Sequence, residues 1–506
     1  MTIHLDGQLN FFEEFMIPVF LLVIPLVSGL AAFFFKDGKT VRAWALFSSL
    51  ITLTGSLLGL TVFKDPSYLQ FHANWISSIN TSFSVRLDGM GQILCLLTAV
   101  SFPLVFISTW NSVYKKPNNF FALMLLMQVG LMGVFVAMDA LLFYFFWELA
   151  LIPAYFLCSQ WGGERRIPVT FKFFIYTFTG SILMLVAIIY IYLQTPGHSF
   201  DITAFYNSAA NGRAESWLFW LMFIAFAIKM PIWPLHTWQP DTYEQSPTAV
   251  TMILSGVMVK MGVLGMVRWL MPVLHISFYQ WGDTVTTLAV TGMLYASLIA
   301  IQQDDLKRLV AYSSIAHIGL MCASLFAETQ SGMQGVMIQM FNHGVNIIGL
   351  WIVIELIERQ FGTRKISQLG GLAQRSPAMA ILLVVVALAN IGLPLTNGFI
   401  GEFLMFNGIF ASTVTKYYIV FTVLAGITII LAAVYTLNMI RKVFYGETNS
   451  LTAEGYSLRF NETAALAVIV VKVFVIGLYP KLFLDISKET SEFILQKTDV
   501  RTILGK

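Results

Sequence analysis

Six ionisable residues lie in apolar surroundings, where burying a charge is costly. Glu148 sits in FYFFWELALIPAYFL, Lys229 in FWLMFIAFAIKMPIWPLHTW and Lys260 in LSGVMVKMGVLGMV. His317 sits in YSSIAHIGLM, His343 in IQMFNHGVNI and Glu402 in LPLTNGFIGEFLMF. A charge at the centre of a membrane helix costs roughly 2.5–3.5 kcal/mol on insertion scales, so membrane proteins that keep one usually use it to move ions or protons. Carboxylates, amines and imidazoles spread over several spans are the material of a proton path.

Each residue also has a plainer reading. The long stem of Lys229 allows its ammonium to snorkel to the interface. Against that stand Pro231 and Pro234, which break the helix in the same turn and free the carbonyls of Ala227 and Met230. Glu148 lies about ten residues into its span, where either a local hydrogen bond or a nearby cation must offset its burial. Lys229 is the expected cation, and movement between the two would change the proton affinity of both. Lys260, about twelve residues into its span, is too deep to snorkel and reads as a relay group. His317 and His343 fit either hydrogen-bonded core packing or a hydrated relay with Ser313, Ser314 and Asn342 beside them. Glu402 follows a second break at Pro394, which frees the Asn390 carbonyl, and small Gly398 and Gly401 are expected to leave room for water near the exit.

Other charges are expected outside the relay. Lys172 reads as snorkelling, Lys472 as facing a partner or lipid head groups, and His236 as a gate or a structural group. Asp139, Asp305, Lys307 and Arg308 read as solvated pairs at helix ends.

These residues must be positioned by membrane helices. The chain has 506 residues, 57% hydrophobic and 11% charged, with mean hydropathy +0.75, which excludes a soluble domain. Apolar windows of roughly 20 residues, each able to cross a hydrocarbon core of about 30 Å, recur about fourteen times. Spans are predicted to begin near 16, 44, 89, 120, 139, 167, 216, 248, 284, 308, 333, 378, 417 and 463. A bilayer offers backbone groups no water, so the expected class is an all-α polytopic membrane protein. The breaks fall in the seventh and twelfth spans, five apart, which is the pattern of an internal repeat with a discontinuous helix in each half. The expected units are 1–119, 120–270, 271–445 and 446–506.

Alternate loops differ in basic charge. One set holds sixteen Lys and Arg, including Lys36, Arg42, Lys115, Arg308, Arg364 and Arg441, against five on the opposite short loops: Lys64, Arg86, Arg213, Arg268 and Lys416. The richer side is expected to be cytoplasmic, with both termini on the periplasmic or outer side. This basic face reports insertion and not nucleic acid. Acidic Glu13 and Glu14 before the first apolar run argue against a removable signal peptide. Cys95, Cys158 and Cys322 are far apart, and no His pairs with another His or Cys at helical spacing. No metal, haem or flavin is therefore expected in this chain.

The segment AIKMPIWPLHTWQPDTYEQSPTAVTMILSGVMVKMG resembles the signature region of the antiporter-like subunits of respiratory complex I, NADH:quinone oxidoreductase, and of Mrp-type cation/proton antiporters. DALLFYFFWELALIPAYFL, DDLKRLVAYSSIAHIG, FNHGVNIIGL and LPLTNGFIGEF extend the resemblance over nearly the whole chain. It implies fourteen helices with two inverted five-helix repeats, at the fourth to eighth and ninth to thirteenth spans, and broken helices 7 and 12. By position, Glu148 would be the fifth-helix carboxylate, Lys229 the lysine of the broken seventh and Lys260 the connecting lysine of the eighth. His317 and His343 would line the polar axis of the second half, and Glu402 would be the ionisable group of the twelfth. Sibling subunits L and N typically carry lysine there, and subunit L a long lateral helix, whereas 26 residues follow Pro480 here. The resemblance implies redox-driven proton translocation, with NADH, FMN, iron-sulfur clusters and quinone held by partner subunits and with L and N as membrane neighbours. Two rival readings use the same sequence: a Na+/H+ antiporter subunit of the Mrp type, and a proton-inert scaffold.

Overall fold

The computed structural model describes residues 16–208, 212–454 and 456–498. Glu13 and Glu14 lie outside them, as do Arg501 and Lys506 of the tail. The first helices are α1 (Ile17–Ala32) and α2 (Gly38–Thr61), followed by the strands β1 (Gln70–Ile76) and β2 (Thr81–Arg86). Next come α3 (Gly89–Ser108), α4 (Pro117–Val136), α5 (Ala140–Trp161) and α6 (Arg166–Gln194). The seventh span is split into α7 (Gly212–Lys229) and α8 (Trp238–Gln245). Beyond it run α9 (Thr248–Val273), α10 (His275–Gln302), α11 (Leu306–Leu325) and α12 (Gln330–Phe361). The twelfth is split into α13 (Pro377–Ile391) and α14 (Asn397–Phe410), and α15 (Tyr418–Val443), α16 (Phe460–Leu478) and α17 (Lys481–Thr498) complete the chain.

Eleven of these helices, among the described residues, are long and apolar enough to cross a membrane, and Ile17–Ala32, Ser216–Lys229 and Pro377–Ile391 are shorter apolar helices. Their starts agree with the sequence to within a few residues except at α2, which begins at Gly38 where a start near 44 was expected, and at α10. There the polar and aromatic stretch HISFYQWGD lowers local hydropathy, yet the helix already begins at His275. Aspartates set several N-termini by accepting backbone N–H groups that the helix leaves unpaired. Asp37 accepts from Thr40 at 2.8 Å, and the Thr40 hydroxyl and N–H hold its carboxyl below the usual carboxylate range.

The hairpin corrects the all-α expectation. Antiparallel pairs Phe71↔Val85 and Ala73↔Phe83 define its register, and Val85 bridges on to Ala137 before α5. Outside the apolar spans water satisfies backbone groups, so helix is no longer compulsory, and β-branched and aromatic residues pair as strands. Asp139 fastens this hairpin to α5. It is fully buried and accepts from Thr81 Oγ1, Ser82 N, Leu141 N and Leu142 N at 2.9–3.1 Å, so it is no solvated helix-end charge.

The core runs through the middle of the bundle. Every residue of the apolar window in α9 is buried, whereas α2, α6, α15 and α16 present apolar faces outward. The helices that carry the six ionisable residues are therefore mostly the interior ones.

Candidate functional site

The two helix breaks form as their prolines require, but the freed Ala227 carbonyl finds a new partner. Ala227 O accepts from Ile232 N at 2.8 Å and Ile228 O from the Trp238 indole at 3.0 Å. The Ala227 carbonyl is thus not free, because the turn after Lys229 folds back to satisfy it. At the second break Gly392 takes φ +80, the left-handed conformation that glycine adopts without penalty, and Leu393 N bonds Leu388 O at 3.1 Å. A Cβ on Gly392 would lie 2.3 Å from Glu402 Oε2, so the break and the carboxylate are in contact.

Four of the six residues form one connected series. The Lys260 ammonium donates to the Ser255 carbonyl and meets His343 Nδ1, both at 2.9 Å. With Lys260 donating, His343 Nδ1 accepts, which assigns the ring proton to Nε2. The His343 and His317 rings are 5.5 Å apart, centre to centre. His317 Nδ1 lies 3.2 Å from Glu402 Oε1, within ion-pair reach although not aligned as a hydrogen bond. The Nε2 atoms of both histidines are buried and have no protein partner among the described residues. A cavity of about 20 Å³, room for a single water, borders His317, Glu402 and Tyr435.

Glu148 and Lys229 stand near this series without joining it by a hydrogen bond. Among the described residues Lys229 Nζ has no hydrogen-bond or ion-pair partner. It faces the Trp147 ring at 5.4 Å, a cation–π distance. Glu148 Oε1 is likewise buried and unpartnered, and each of the two side chains lies within the other's electrostatic field. Helix α9 touches this pair's neighbourhood closely, since a Cβ on Gly262 would meet Phe226 O at 2.6 Å.

Several expectations for neighbouring residues change. Gly398 and Gly401 make no room for water; Cβ atoms there would meet Ala389 O at 2.0 Å and Gln339 Oε1 at 2.2 Å, so they let chain segments touch. Asn342 and Ser313 hold the broken helix. Asn342 Nδ2 donates to Asn397 O at 2.7 Å, Asn390 Nδ2 to Ser313 Oγ at 3.2 Å and the Tyr435 hydroxyl to Ser313 Oγ at 2.9 Å. The side chains of Tyr435, Asn390 and Asn397 add to the residues expected from sequence, where only the Asn390 carbonyl was named, although a polar residue on each side of a proline break was a usable signal. Lys307 is buried with its ammonium 2.7 Å from Glu358, and Arg308 bridges Asp241 and Glu244 at 3.1 and 2.9 Å, so these helix-end charges belong to a packed network. Lys172 joins it through Asp241 at 2.9 Å. Arg268, expected in a short loop, is instead buried in α9 and paired with Asp88 at 2.7 Å. Lys472 lies over the Phe341 ring at 5.8 Å, and His236 is buried against Tyr295. No group of three or more His, Cys, Asp or Glu among the described residues is placed to hold a metal.

A many-helix membrane bundle with interrupted helices and buried amines, imidazoles and carboxylates in series matches one family. Residues 137–438 fit the NADH:quinone oxidoreductase/Mrp antiporter transmembrane family, and the chain belongs to it. NADH-quinone oxidoreductase subunit M of Rickettsia bellii is 34% identical over 490 residues, spanning 94% of this chain and 98% of that protein. A chain of respiratory complex I from Thermus thermophilus with bound NADH superposes with TM-score 0.88 at 27% identity, covering 96% of this chain and 100% of that one. A chain of the Mrp complex from Dietzia sp. DQ12-45-1b has the same fold, with TM-score 0.83 at 18% identity over 95% of this chain and 98% of that one.

Proposed function

We propose that this chain is a proton-translocating membrane-arm subunit of NADH:quinone oxidoreductase, with the redox centres held by partner subunits. The observation that carries the reading is the buried series Lys260–His343–His317–Glu402, which crosses four helices at hydrogen-bond and ring-contact distances. A proton leaves the Lys260 ammonium for His343 Nδ1 directly. A water between the two unpartnered Nε2 atoms passes it to His317, and His317 Nδ1 hands it to Glu402. Glu148 and Lys229 act as the switch: their separation or approach changes the field at Lys260, and no bond between them has to break.

Eleven long spans and three shorter apolar helices give fourteen crossings, with repeats at 120–270 and 271–445 related by inversion. In this arrangement each repeat contributes one broken helix. Subunits L and N are the expected neighbours in a bacterial inner membrane, with both termini on the periplasmic side. The subunit M relative favours this reading over a free-standing Na+/H+ antiporter.

Membrane vesicles that carry the native assembly test it. Lys260→Met is expected to abolish NADH-driven acidification per electron while the assembly remains intact. An assembled Lys260→Met variant that pumps at the parental ratio would support the proton-inert scaffold instead. Mass spectrometry of the same assembly should find iron-sulfur partners.

A further inference from the structure

At the end of the bundle away from the basic loops, a cavity of about 420 Å³ opens between the hairpin and α17. Lys and Arg are scarce at this end, yet three of the five that the sequence places there, Lys64, Arg86 and Arg268, line this one cavity. Asp88 neutralises Arg268 at 2.7 Å. Lys64 and Arg86 are exposed, and their side chains make no ion pair or hydrogen bond among the described residues. Two unpaired cations in one cleft attract an anion. Glu489 of α17 is the one carboxylate that faces them across the cavity besides Asp88.

A hydroxyl and apolar walls complete the site. Thr490 Oγ1 accepts from Gly89 N at 3.0 Å and makes no other hydrogen bond among the described residues, so its own proton is available to a ligand. Leu69, Met90 and Ile494 form buried parts of the wall, and Ile486 and Phe493 continue it along α17. An inorganic anion gains nothing from such a wall, whereas an acyl chain does.

Helix α17 has three faces. Phe483, Ser487, Ser491 and Ile494 are buried and span a sector of about 80° at 3.6 residues per turn. Leu482, Ile486 and Phe493 fall within about 40° of one another in a second sector, about 120° from the first. Leu482 and Phe493 remain 59% and 44% exposed. Lys481, Asp485, Lys488 and Glu492 occupy the third. A helix with a charged face and an apolar face that no protein covers lies at the boundary between head groups and acyl chains. Ile486 and Phe493 belong both to this outward stripe and to the cavity wall, so the cavity opens toward lipid.

We propose that this groove binds one phospholipid with an anionic head group. Lys64, Arg86 and the Thr490 hydroxyl hold the phosphodiester, and an acyl chain lies along Ile486, Phe493 and Leu482. Two unpaired cations face Glu489, so a single phosphodiester charge makes the cleft neutral, whereas a zwitterionic lipid leaves it positive. The volume suits a head group, since small-molecule sites measure roughly 300–1,000 Å³. Bound there, the lipid ties α17 to the hairpin and to the start of α3. The site stands apart from the relay, and neither reading depends on the other.

The test titrates the purified native assembly with a phosphatidylglycerol that carries a photoreactive acyl chain and reads the labelled peptides by mass spectrometry. Labelling is expected within α17. Lys64→Gln and Arg86→Gln are each expected to raise the half-labelling concentration about fivefold, the worth of one cation beside an anionic head group, and Lys64→Arg to keep the parental value. The same photoreactive chain on phosphatidylcholine is expected to require about fivefold more lipid, and inorganic phosphate to leave labelling unchanged. If Arg86→Gln fails to assemble, Lys64→Gln, in the exposed link between α2 and β1, decides alone. Parental labelling in Lys64→Gln or equal labelling by phosphatidylcholine would overturn the proposal. Displacement by inorganic phosphate would do so too, by marking a free-phosphate site, as would an assembly in which residues 486–494 take no label because a neighbouring subunit fills the groove.

Discussion

Glu402 and His317 show how much of the site a sequence can reveal. Both were legible because an ionisable group amid apolar residues is costly wherever it sits in a membrane. Their pairing was not, since it depends on how α11 and α14 pack. The same holds for Lys260 and His343, 83 residues apart. They meet because α9 and α12 cross at glycines: a Cβ on Gly344 would lie 2.8 Å from Gly256 O and 2.6 Å from Leu97 Cδ1. Gly344→Val is therefore expected to push the helices apart and break the Lys260–His343 contact, lowering pumping more than electron transfer, as vesicle acidification against NADH oxidation would show. Glu402→Gln keeps the shape but removes the charge facing His317 Nδ1. Pumping is expected to be lost with assembly retained, and Glu402→Asp to keep part of it.

Breaks and turns belong to the scale of elements. Proline announced both interrupted helices in the sequence, whereas the π-turns of α9 had no comparable mark: LSGVM and MVRWL read as ordinary helix. At the second break Gly392→Ala would hold alanine in a left-handed conformation at roughly 1–2 kcal/mol, and its Cβ would displace the Glu402 carboxylate. Purified protein should show a lower unfolding temperature, and vesicles reduced pumping. The hairpin was missed because period-2 patterning over six or seven residues is short beside the long apolar runs on either side. Its anchor predicts a separate result. Asp139→Ala removes the α5 cap, worth about 1–2 kcal/mol, and leaves the Thr81 and Ser82 donors unpaired. Faster proteolysis between 62 and 88 is expected, with little change in the relay.

For the whole molecule, composition indicates the class, apolar windows locate most span starts, and the basic loops mark one end. That end is a packed network: Arg364 reaches Asp305, Glu358 and Glu244 at once, which counting charges does not show. The segment after Pro480 read as a tail, yet it forms α17, docked on α3 and α12 with Thr490 Oγ1 accepting from Gly89 N at 3.0 Å. Its amphipathic character is present in KLFLDISKETSEFILQKT but is masked by the longer apolar runs before it. Removing residues 481–506 is expected to lower assembly yield on native gels. The depth of the relay has one more consequence. Lys260, His317 and His343 all sit in the middle stretches of α9, α11 and α12, so their series runs sideways, in the plane of the bilayer. A transmembrane voltage exacts about 2.3 kcal/mol per 100 mV only from a charge that crosses the full thickness. In the proposed relay this lateral hand-over would perform almost no electrical work, so an opposing potential would act only on the proton's entry and exit. A potassium diffusion potential should accordingly slow turnover without altering how the proton divides between Lys260 and Glu402.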